Sequence, residues 1–285
     1  MKKTTASILV FITLLSAFAQ AQSAAAMRKP FYYLEENESR YEAYQSKNPG
    51  VPYDRALAYV NANVDKGFYN NIDTVSNPNS AFVLVNKNFA LPAGYAPGDL
   101  VTIPGGHLMR AEAAEHLIDM RADMQNQGYS LVIIATYRSY GTQANSFNNA
   151  AATFGTVNAE VSFARPGHSE HQTGLAADLL HRGGFQYMQH SDFEKTREFA
   201  WLKENAHKYG FILRYPDGYR DVHGFIFEPW HWRYIGVFMA TLMYEEGIDL
   251  FEEFYGKYLS TGQFRRMKAG SLCASSVWQP MPVEK

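Results

Sequence analysis

Residues 165–178 read RPGHSEHQTGLAAD, and the fold of the chain depends most on them. Within this stretch, His171 and Asp178 carry side chains of the kind that bind divalent metal ions. A catalytic zinc ion commonly takes three protein ligands and keeps a further position for water or substrate. The stretch therefore supplies two candidate ligands, and a third ligand and a base have to come from elsewhere in the chain.

The spacing of these two residues requires a bend between them. They are seven positions apart, and residues an odd number of positions apart on a straight strand point to opposite faces of the sheet. Gly174 can supply the bend, because glycine adopts backbone conformations that other residues avoid. A strand over residues 175–180 would then carry Asp178. A helix would also place the pair on one face, but Gly174 and the Pro166-Gly167 pair disfavour it.

A second candidate pair lies about fifty residues further along. Glu228 and His231 are three positions apart, and Pro229 between them cannot donate a ladder hydrogen bond. A strand end or a bulge would let both side chains face one cavity. We expect His231 to be the third ligand and Glu228 to be the general base, because a bound metal ion acidifies water and a nearby carboxylate can take the proton.

Each of these residues has a simpler interpretation when it is taken alone. His171 is typical of a hydrogen-bonded structural histidine, Asp178 of a turn or capping residue, and Glu228 of a surface carboxylate. Only their combination favours a metal site. The other histidines have no comparable spacing and are interpreted as structural or surface residues, His168 being the one that adjoins the site: His107, His116, His168, His181, His190, His207 and His223.

The composition is that of a folded protein with one main domain. The chain has 285 residues, of which 46% are hydrophobic, enough to bury a full core. A formal net charge of −2 gives no general basic surface, so we expect neither nucleic acid nor an anionic membrane as a partner. Cys273 is the single cysteine, which excludes an intrachain disulfide and leaves His, Asp and Glu as the possible metal ligands.

The first residues have the pattern of a secretory signal peptide. Two lysines follow Met1, an apolar run spans residues 6–18, and Ala19-Gln20-Ala21 resembles a cleavage site. A membrane anchor is the alternative, but spanning a bilayer takes roughly 20 apolar residues and this run is shorter. We therefore expect residues 1–21 to be removed, leaving no integral membrane segment, and the mature chain to be exported to the periplasm or the extracellular cell-wall space.

The rest of the chain divides into three parts. Residues 22–80 are predicted to form an amino-terminal extension with helices at 34–45 and 54–64, packed on a main domain at 81–262, and residues 263–285 form a tail. Within the main domain the patterns predict the following elements: strands at 81–85, 131–135, 211–215 and 224–227, and helices at 108–127 and 141–154.

The two motifs together resemble a known family. The pattern Ser169-x-His171-x-x-Gly174-x-Ala176-x-Asp178, followed by Glu228-x-x-His231, is similar to that of the VanY-like D-alanyl-D-alanine carboxypeptidases, within the superfamily of lysostaphin-type peptidases and the hedgehog amino-terminal domain. The agreement covers about residues 82–236, with no departure at a motif position. It extends to four further segments: Leu84-Val85-Asn86-Lys87, Tyr137-Arg138-Ser139-Tyr140, Arg165-Pro166-Gly167 and Tyr209-Gly210-Phe211.

The resemblance implies a cofactor and a fold. One Zn²⁺ ion would be held by His171, Asp178 and His231, with Glu228 as the catalytic base, which are the roles that the spacing also indicates. The fold class would be α+β, with a small, mainly antiparallel sheet, a zinc cleft on one sheet face, flanking helices and an amino-terminal helical extension. Residues 81–262 would be the zinc carboxypeptidase domain.

The resemblance also implies a substrate, the stem peptide of peptidoglycan, from which family members remove a terminal D-alanine. Arg138 is our candidate for binding the terminal carboxylate or stabilising the oxyanion, although a structural ion pair at a strand end is the alternative. Ser169 and Gln143 are candidate substrate-binding residues, and loop capping explains each almost as well. An L,D-carboxypeptidase acting on tetrapeptide stems and a non-catalytic wall-binding module stay open as alternatives, and we expect a monomer.

Overall fold

A computed structural model describes residues 29–181 and 190–260 of the chain. The α-helices and strands, in chain order, are α1 (Glu38–Lys47), α2 (Tyr53–Asn61), β1 (Asp73–Thr74), β2 (Phe89–Ala90), β3 (Leu100–Ile103), β4 (His107–Arg110), α3 (Ala111–Asn126), β5 (Leu131–Ala135), α4 (Tyr140–Phe154), α5 (Thr156–Ala159), β6 (Ala176–His181), α6 (Arg197–Asn205), β7 (Phe211–Leu213), α7 (Arg220–His223), β8 (His231–Tyr234), α8 (Val237–Glu245) and α9 (Phe251–Phe254). Shorter 3-10 helices lie at Glu35–Asn37, Val64–Lys66, Glu170–Thr173, His190–Lys195 and Ala206–Tyr209, and a π-helical turn lies at Tyr255–Leu259.

The main sheet has the strand order β5-β6-β8-β7, and each neighbouring pair is antiparallel. In this ladder Asp178 of β6 lies directly opposite His231 of β8. Cross-strand partners have Cβ atoms only about 4.5–5.5 Å apart, so the register itself brings these two side chains together. The α+β fold and its small antiparallel sheet are confirmed, and two short pairs lie outside it: β3-β4, antiparallel, and β1-β2, parallel.

The two faces of the main sheet have different neighbours. Successive residues on a strand point to opposite faces. Ala177 and Leu179 of β6 and Trp232 of β8 join the largest apolar core, together with buried residues of α3 and α6. Asp178 lies between Ala177 and Leu179, and His231 precedes Trp232, so both point to the opposite face. That face carries the candidate site, and the apolar core behind it fixes the strands that present it.

The amino-terminal residues of the structure pack on its carboxy-terminal helices. A Cβ atom placed on Gly256 would lie 1.9 Å from the carbonyl oxygen of Ala58 in α2, so only glycine permits this close approach. Asn61 donates its side-chain amide to the Gly256 carbonyl at 3.1 Å, and Arg55 pairs with Glu253 at 2.9 Å. The limits of the predicted extension stay a prediction, and its first residues, like the signal peptide and the tail, lie outside the described residues.

Two predicted strands are absent, one predicted helix begins late, and the strand predicted at 211–215 and the helix predicted at 54–64 end early, at Leu213 and Asn61. Residues 81–85 are mostly buried but form no strand, because the carbonyls of Ala81 and Val83 accept hydrogen bonds from the Arg233 side chain and not from a neighbouring strand. Residues 224–227 are irregular and follow the short helix α7. The helix predicted from residue 108 begins at Ala111, because His107–Arg110 pair with β3 as β4. The strand at 131–135 is confirmed, and the helix at 141–154 is confirmed within one residue.

Among the residues that the structure describes, no helix is long and apolar enough to cross a membrane.

Candidate metal centre

The bend predicted at Gly174 is present. The 3-10 helix Glu170–Thr173 ends at Gly174, whose φ of +68° lies in the left-handed region, and β6 starts two residues later. A Cβ atom at this position would lie 2.9 Å from Leu100 Cδ2 and 3.0 Å from Arg110 Cγ. Both the backbone conformation and the crowding therefore call for glycine. The bend turns His171 back towards Asp178.

Three potential ligand atoms converge on one point. The ligand atoms of His171, Asp178 and His231 all lie within 4.8 Å of one another, and all three residues are buried. His171 Nε2 is 3.2 Å from one carboxylate oxygen of Asp178, and His231 Nδ1 is 3.0 Å from the other. The structure thus brings together the three residues that the spacing singled out.

The remote nitrogen of each imidazole faces an acceptor. His171 Nδ1 lies 2.5 Å from the carbonyl oxygen of Thr136, and His231 Nε2 lies 3.4 Å from a carboxylate oxygen of Glu170. In a neutral imidazole, a proton on the remote nitrogen leaves a lone pair on the nitrogen that faces Asp178. Histidines that ligate metals generally donate their other N–H to a carbonyl or a carboxylate in this way. Two such imidazoles and one carboxylate form a donor set that fits a zinc ion.

The electrostatics of the cluster favour a cation. Burial alone would raise the pKa of Asp178, but His171 and His231 hold it well below its usual range. Burial opposes protonation of His231, yet hydrogen bonds to Asp178 and Glu170 raise its pKa to about 9. Burial lowers the pKa of His171. The cluster therefore contains an ionised carboxylate and a ring that attracts positive charge.

Glu228 lies beside this cluster in a tight turn. The turn runs from Glu228 to His231 with Pro229 at its second position, and the His231 N–H donates to the Glu228 carbonyl at 3.0 Å. This explains how residues three apart face one cavity at the start of β8. A carboxylate oxygen of Glu228 is 3.9 Å from His231 Nδ1, and burial raises the pKa of Glu228 to about 8. A carboxyl group with a raised pKa is suited to proton transfer near neutral pH.

Arg138 approaches the cluster from the end of β5. Its backbone N–H donates to the His171 carbonyl at 3.1 Å, and its Nη2 lies 3.9 Å from Asp178 Oδ2. Its Nη1 donates to Gln143 Oε1 at 2.8 Å, while Gln143 Nε2 donates to the Ala164 carbonyl at 2.7 Å. Gln143 is only 1% exposed. This geometry favours a role for Gln143 in orienting Arg138, and its predicted contact with substrate stays a prediction.

Ser169 and His168 precede the 3-10 helix. Ser169 is 5% exposed, and its carbonyl accepts from the Gln172 backbone at 3.1 Å. His168 Nδ1 lies 2.8 Å from the Asn86 carbonyl, and its ring packs edge-on against Tyr69. His168 is thus engaged in packing away from the cluster.

Three residues beside His231 were not predicted from the sequence: Glu170 forms buried ion pairs with Arg214 and Arg233. Two of them gave a signal that could have been read. Arg214 and Arg233 each interrupt an apolar strand, and a charge in a buried strand needs a partner. Glu170 gave no such signal, because one carboxylate beside a ligand resembles many surface residues.

The chain is similar in sequence to proteins of a known family. The family model "VanY: D-alanyl-D-alanine carboxypeptidase" matches residues 106–237. "Putative carboxypeptidase YodJ" of Bacillus subtilis (strain 168) is 39% identical over 197 residues, which are 65% of this chain and 71% of that protein. The chain belongs to the VanY family.

Two solved structures of VanY relatives resemble the chain in fold. The LdcB LD-carboxypeptidase is 37% identical with a TM-score of 0.60, covering 65% of this chain and 90% of that one. The vancomycin-resistance D,D-pentapeptidase VanY, solved with Zn(II), is 30% identical with a TM-score of 0.54, covering 61% and 98%. As a VanY family member the chain is a metallopeptidase of the carboxypeptidase class, and the family and the buried cluster together indicate a single zinc ion as its cofactor.

Proposed function

We propose that the chain is an exported D,D-carboxypeptidase that hydrolyses the terminal D-Ala from peptidoglycan stem peptides. One observation carries the proposal: the ligand atoms of His171, Asp178 and His231 converge. Glu228 lies 3.9 Å from His231 Nδ1, and Arg138 Nη2 lies 3.9 Å from Asp178 Oδ2. Membership of the VanY family supplies the substrate class. In this proposal the three converging residues hold the zinc ion.

Each residue has a distinct part in the proposed hydrolysis. A zinc ion at such a site acidifies water and polarises the substrate carbonyl. Glu228 takes a proton from the attacking water and returns it to the amide nitrogen as the carbon–nitrogen bond breaks. Burial, which raises the pKa of Glu228, makes its ionised carboxylate a stronger proton acceptor. His171 and His231 are held in the required orientation by acceptors behind them.

Arg138 is the proposed anchor for the substrate. The free carboxylate of the terminal D-Ala, or the oxyanion that forms on its scissile carbonyl, would accept paired hydrogen bonds from the guanidinium. Gln143 orients the Arg138 guanidinium by accepting a hydrogen bond from Nη1. Ser169, beside the ligand-bearing helix, is the proposed hydrogen-bond partner of the peptide backbone.

Export is part of the proposal. Residues 1–21 have the basic, apolar and small-residue regions of a signal peptide, and peptidoglycan stems lie outside the cytoplasmic membrane. An exported enzyme would meet its substrate without further transport. Detection of a mature chain that starts near Gln22 in the extracytoplasmic fraction would test this part separately.

An L,D-carboxypeptidase that removes D-Ala from tetrapeptide stems is the second candidate. The observation in its favour is the likeness to the LdcB LD-carboxypeptidase, whose identity and TM-score exceed those of the D,D-pentapeptidase structure. Both substrates present a free carboxylate on a D-residue, so Arg138 would serve either. The two activities therefore have to be separated by assay.

The test is direct turnover of defined stems. Purified protein is incubated with pentapeptide and with tetrapeptide stems, and the products are weighed by mass spectrometry. We expect D-Ala to be released from the pentapeptide, the reaction to stop after chelation, and zinc to restore it. Release from the tetrapeptide alone would replace the D,D assignment with the L,D one, and turnover that survives complete removal of metal would rule out both.

A further inference from the structure

Four buried charges lie directly behind the candidate metal centre. Glu170, Arg214, Arg233 and Glu252 are each 0–1% exposed. Burying ionised groups is costly, and apolar residues of similar size often stabilise a fold equally well. Pairing two carboxylates with two guanidinium groups removes the net charge, but it leaves open what these groups provide. Their contacts with the site answer that question.

Glu170 divides its two carboxylate oxygens between different partners. Oε1 accepts from Arg214 Nε and from Arg233 Nη1, both at 2.8 Å. Oε2 faces His231 Nε2 at 3.4 Å. Because two guanidinium groups already donate to this carboxylate, it offers His231 only an acceptor. The His231 ring is therefore required to present an N–H at Nε2.

The opposite nitrogen of the same ring faces the cluster. His231 Nδ1 lies 3.0 Å from Asp178 Oδ1. A neutral imidazole with its proton on Nε2 has its lone pair on Nδ1. His171 receives a comparable restraint from a neutral acceptor, the Thr136 carbonyl at 2.5 Å, whereas the acceptor behind His231 is a charged carboxylate at 3.4 Å.

We propose that Glu170 is a positioning residue that fixes the ring orientation and the Nε2–H tautomer of His231, so that Nδ1 is the nitrogen presented to zinc. This inference rests on the proposed function, because it takes His231 as a zinc ligand. Arg214, which directly follows β7, and Arg233 of β8 both donate to the Glu170 carboxylate. A buried acceptor behind a histidine ligand also raises the basicity of that ligand.

Glu252 provides a matched control. Its carboxylate accepts from Arg214 Nη1 at 2.9 Å and from Nη2 at 2.7 Å, so it neutralises the same guanidinium as Glu170 does. Within residues 29–181 and 190–260, the Glu252 carboxylate accepts hydrogen bonds from Arg214 and Asn86 and none from His231. Glu170→Gln and Glu252→Gln therefore remove the same charge from the same network, and only the first changes the partner of the ligand.

The experiment compares zinc affinity and a spectroscopic signature of the two variants. Zinc affinity is measured by competition with a chromophoric chelator, and the visible spectrum is recorded after cobalt(II) substitution. We expect Glu170→Gln to lose about 10- to 100-fold in zinc affinity and to shift the cobalt bands, while Glu252→Gln stays close to wild type in both. Equal losses in the two variants would mean that the network is only structural, and an unchanged Glu170→Gln would overturn the proposal.

A second measurement does not depend on a variant that folds. In the zinc-loaded wild-type protein, long-range proton–nitrogen NMR correlations report which nitrogen of His231 carries the proton. We expect the proton on Nε2 and the metal on Nδ1; the reverse arrangement would contradict the proposal.

Failure of the proposed function gives a different result. If the wild-type protein binds no zinc or cleaves no stem peptide, the proposed function is wrong. If His231→Gln keeps its zinc, His231 is not a zinc ligand. If wild type is active, His231→Gln loses zinc and Glu170→Gln behaves as wild type, only the role of Glu170 is wrong.

Discussion

On one face of the main sheet, Ala177, Leu179 and Trp232 pack against apolar residues of α3 and α6; on the other, Asp178 and His231 face each other beside charged groups. The apolar residues and His231 are almost fully removed from water, and the Asp178 side chain is 14% exposed. The apolar face is stabilised by burial, which is non-directional, whereas the polar face depends on a few specific pairings. The difference predicts that substitutions on the polar face will affect chemistry and those on the apolar face will affect stability.

The largest effect on chemistry is expected from Glu228→Gln. The amide keeps the shape of the side chain but cannot accept the proton of water, so turnover should fall by about 10²- to 10⁴-fold. Zinc content should stay near one ion per chain, because Glu228 is not a proposed ligand. Stem-peptide turnover and metal analysis of the same sample give both values.

The exposed carboxylate of Glu115 in α3 provides the control, since Glu115→Gln should change neither value. Full activity in Glu228→Gln would show that Glu228 is not the general base. Loss of zinc together with turnover would instead make Glu228 a ligand.

Arg138→Lys tests whether the polar face needs the planar shape of the guanidinium group in addition to its positive charge. Lysine keeps the positive charge but lacks the planar fork that meets a carboxylate or an oxyanion with paired donors. We expect kcat/KM for stem peptides to fall by about 10²- to 10³-fold. Steady-state kinetics over a range of substrate concentrations would measure this.

Arg121→Lys, on α3, is the matched control, because Arg121 donates to the Leu131 carbonyl and lies in a helix of the apolar face. If Arg138→Lys and Arg121→Lys both lower kcat/KM only slightly and to the same degree, the alternative interpretation of Arg138, a structural ion pair at a strand end, is favoured.

Leu117→Ala probes the apolar face. Leu117 is fully buried in the core between α3 and the sheet, and removing its side chain leaves a cavity. We expect the free energy of unfolding to fall by about 2–5 kcal/mol, with kcat unchanged at temperatures where the variant is folded. Denaturant unfolding and turnover at low temperature would show this. A selective loss of kcat would mean that the two faces are not separable.

The parts of this arrangement that are local in sequence could be predicted. The odd spacing of His171 and Asp178 demanded a bend, and Gly174 is where it occurs. Pro229 between Glu228 and His231 indicated an irregular strand end, and the turn is there.

What could not be predicted depends on long-range pairing. The register that sets Asp178 opposite His231 joins strands far apart in sequence, and alternation within either strand does not specify it. Residues 81–85 have the composition of a strand, yet the carbonyls of Ala81 and Val83 accept hydrogen bonds from the Arg233 guanidinium. Glu170 acquires its importance only when Arg214, Arg233 and His231 are folded around it.

The smallest effect on stability is expected at Lys87, a buried ammonium group that forms no ion pair with the carboxylates that the structure describes. Lys87 is 4% exposed, and its ammonium donates to the carbonyls of Glu160 and Gly224 and lies over the Phe225 ring. Burial lowers the pKa of Lys87 to about 8 from its ordinary 10.5; Glu160 partly opposes this shift, and Arg220 and Arg165 add to it. Unlike the arginines behind His231, Lys87 thus gives up its proton easily.

This pKa shift has a defined sign. Between about pH 8 and 10.5 the unfolded chain keeps the Lys87 proton and the folded chain has lost it, so stability contributed by this group rises with pH. Lys87→Met removes the titration. Wild type should therefore gain stability relative to Lys87→Met as the pH increases through this window, as measured by denaturant unfolding at a series of pH values. Taking the difference cancels the tyrosines, which titrate in both proteins. A gap that is constant with pH would show that the carbonyl and ring contacts hold the ammonium charged, as the carboxylates do for Arg214 and Arg233.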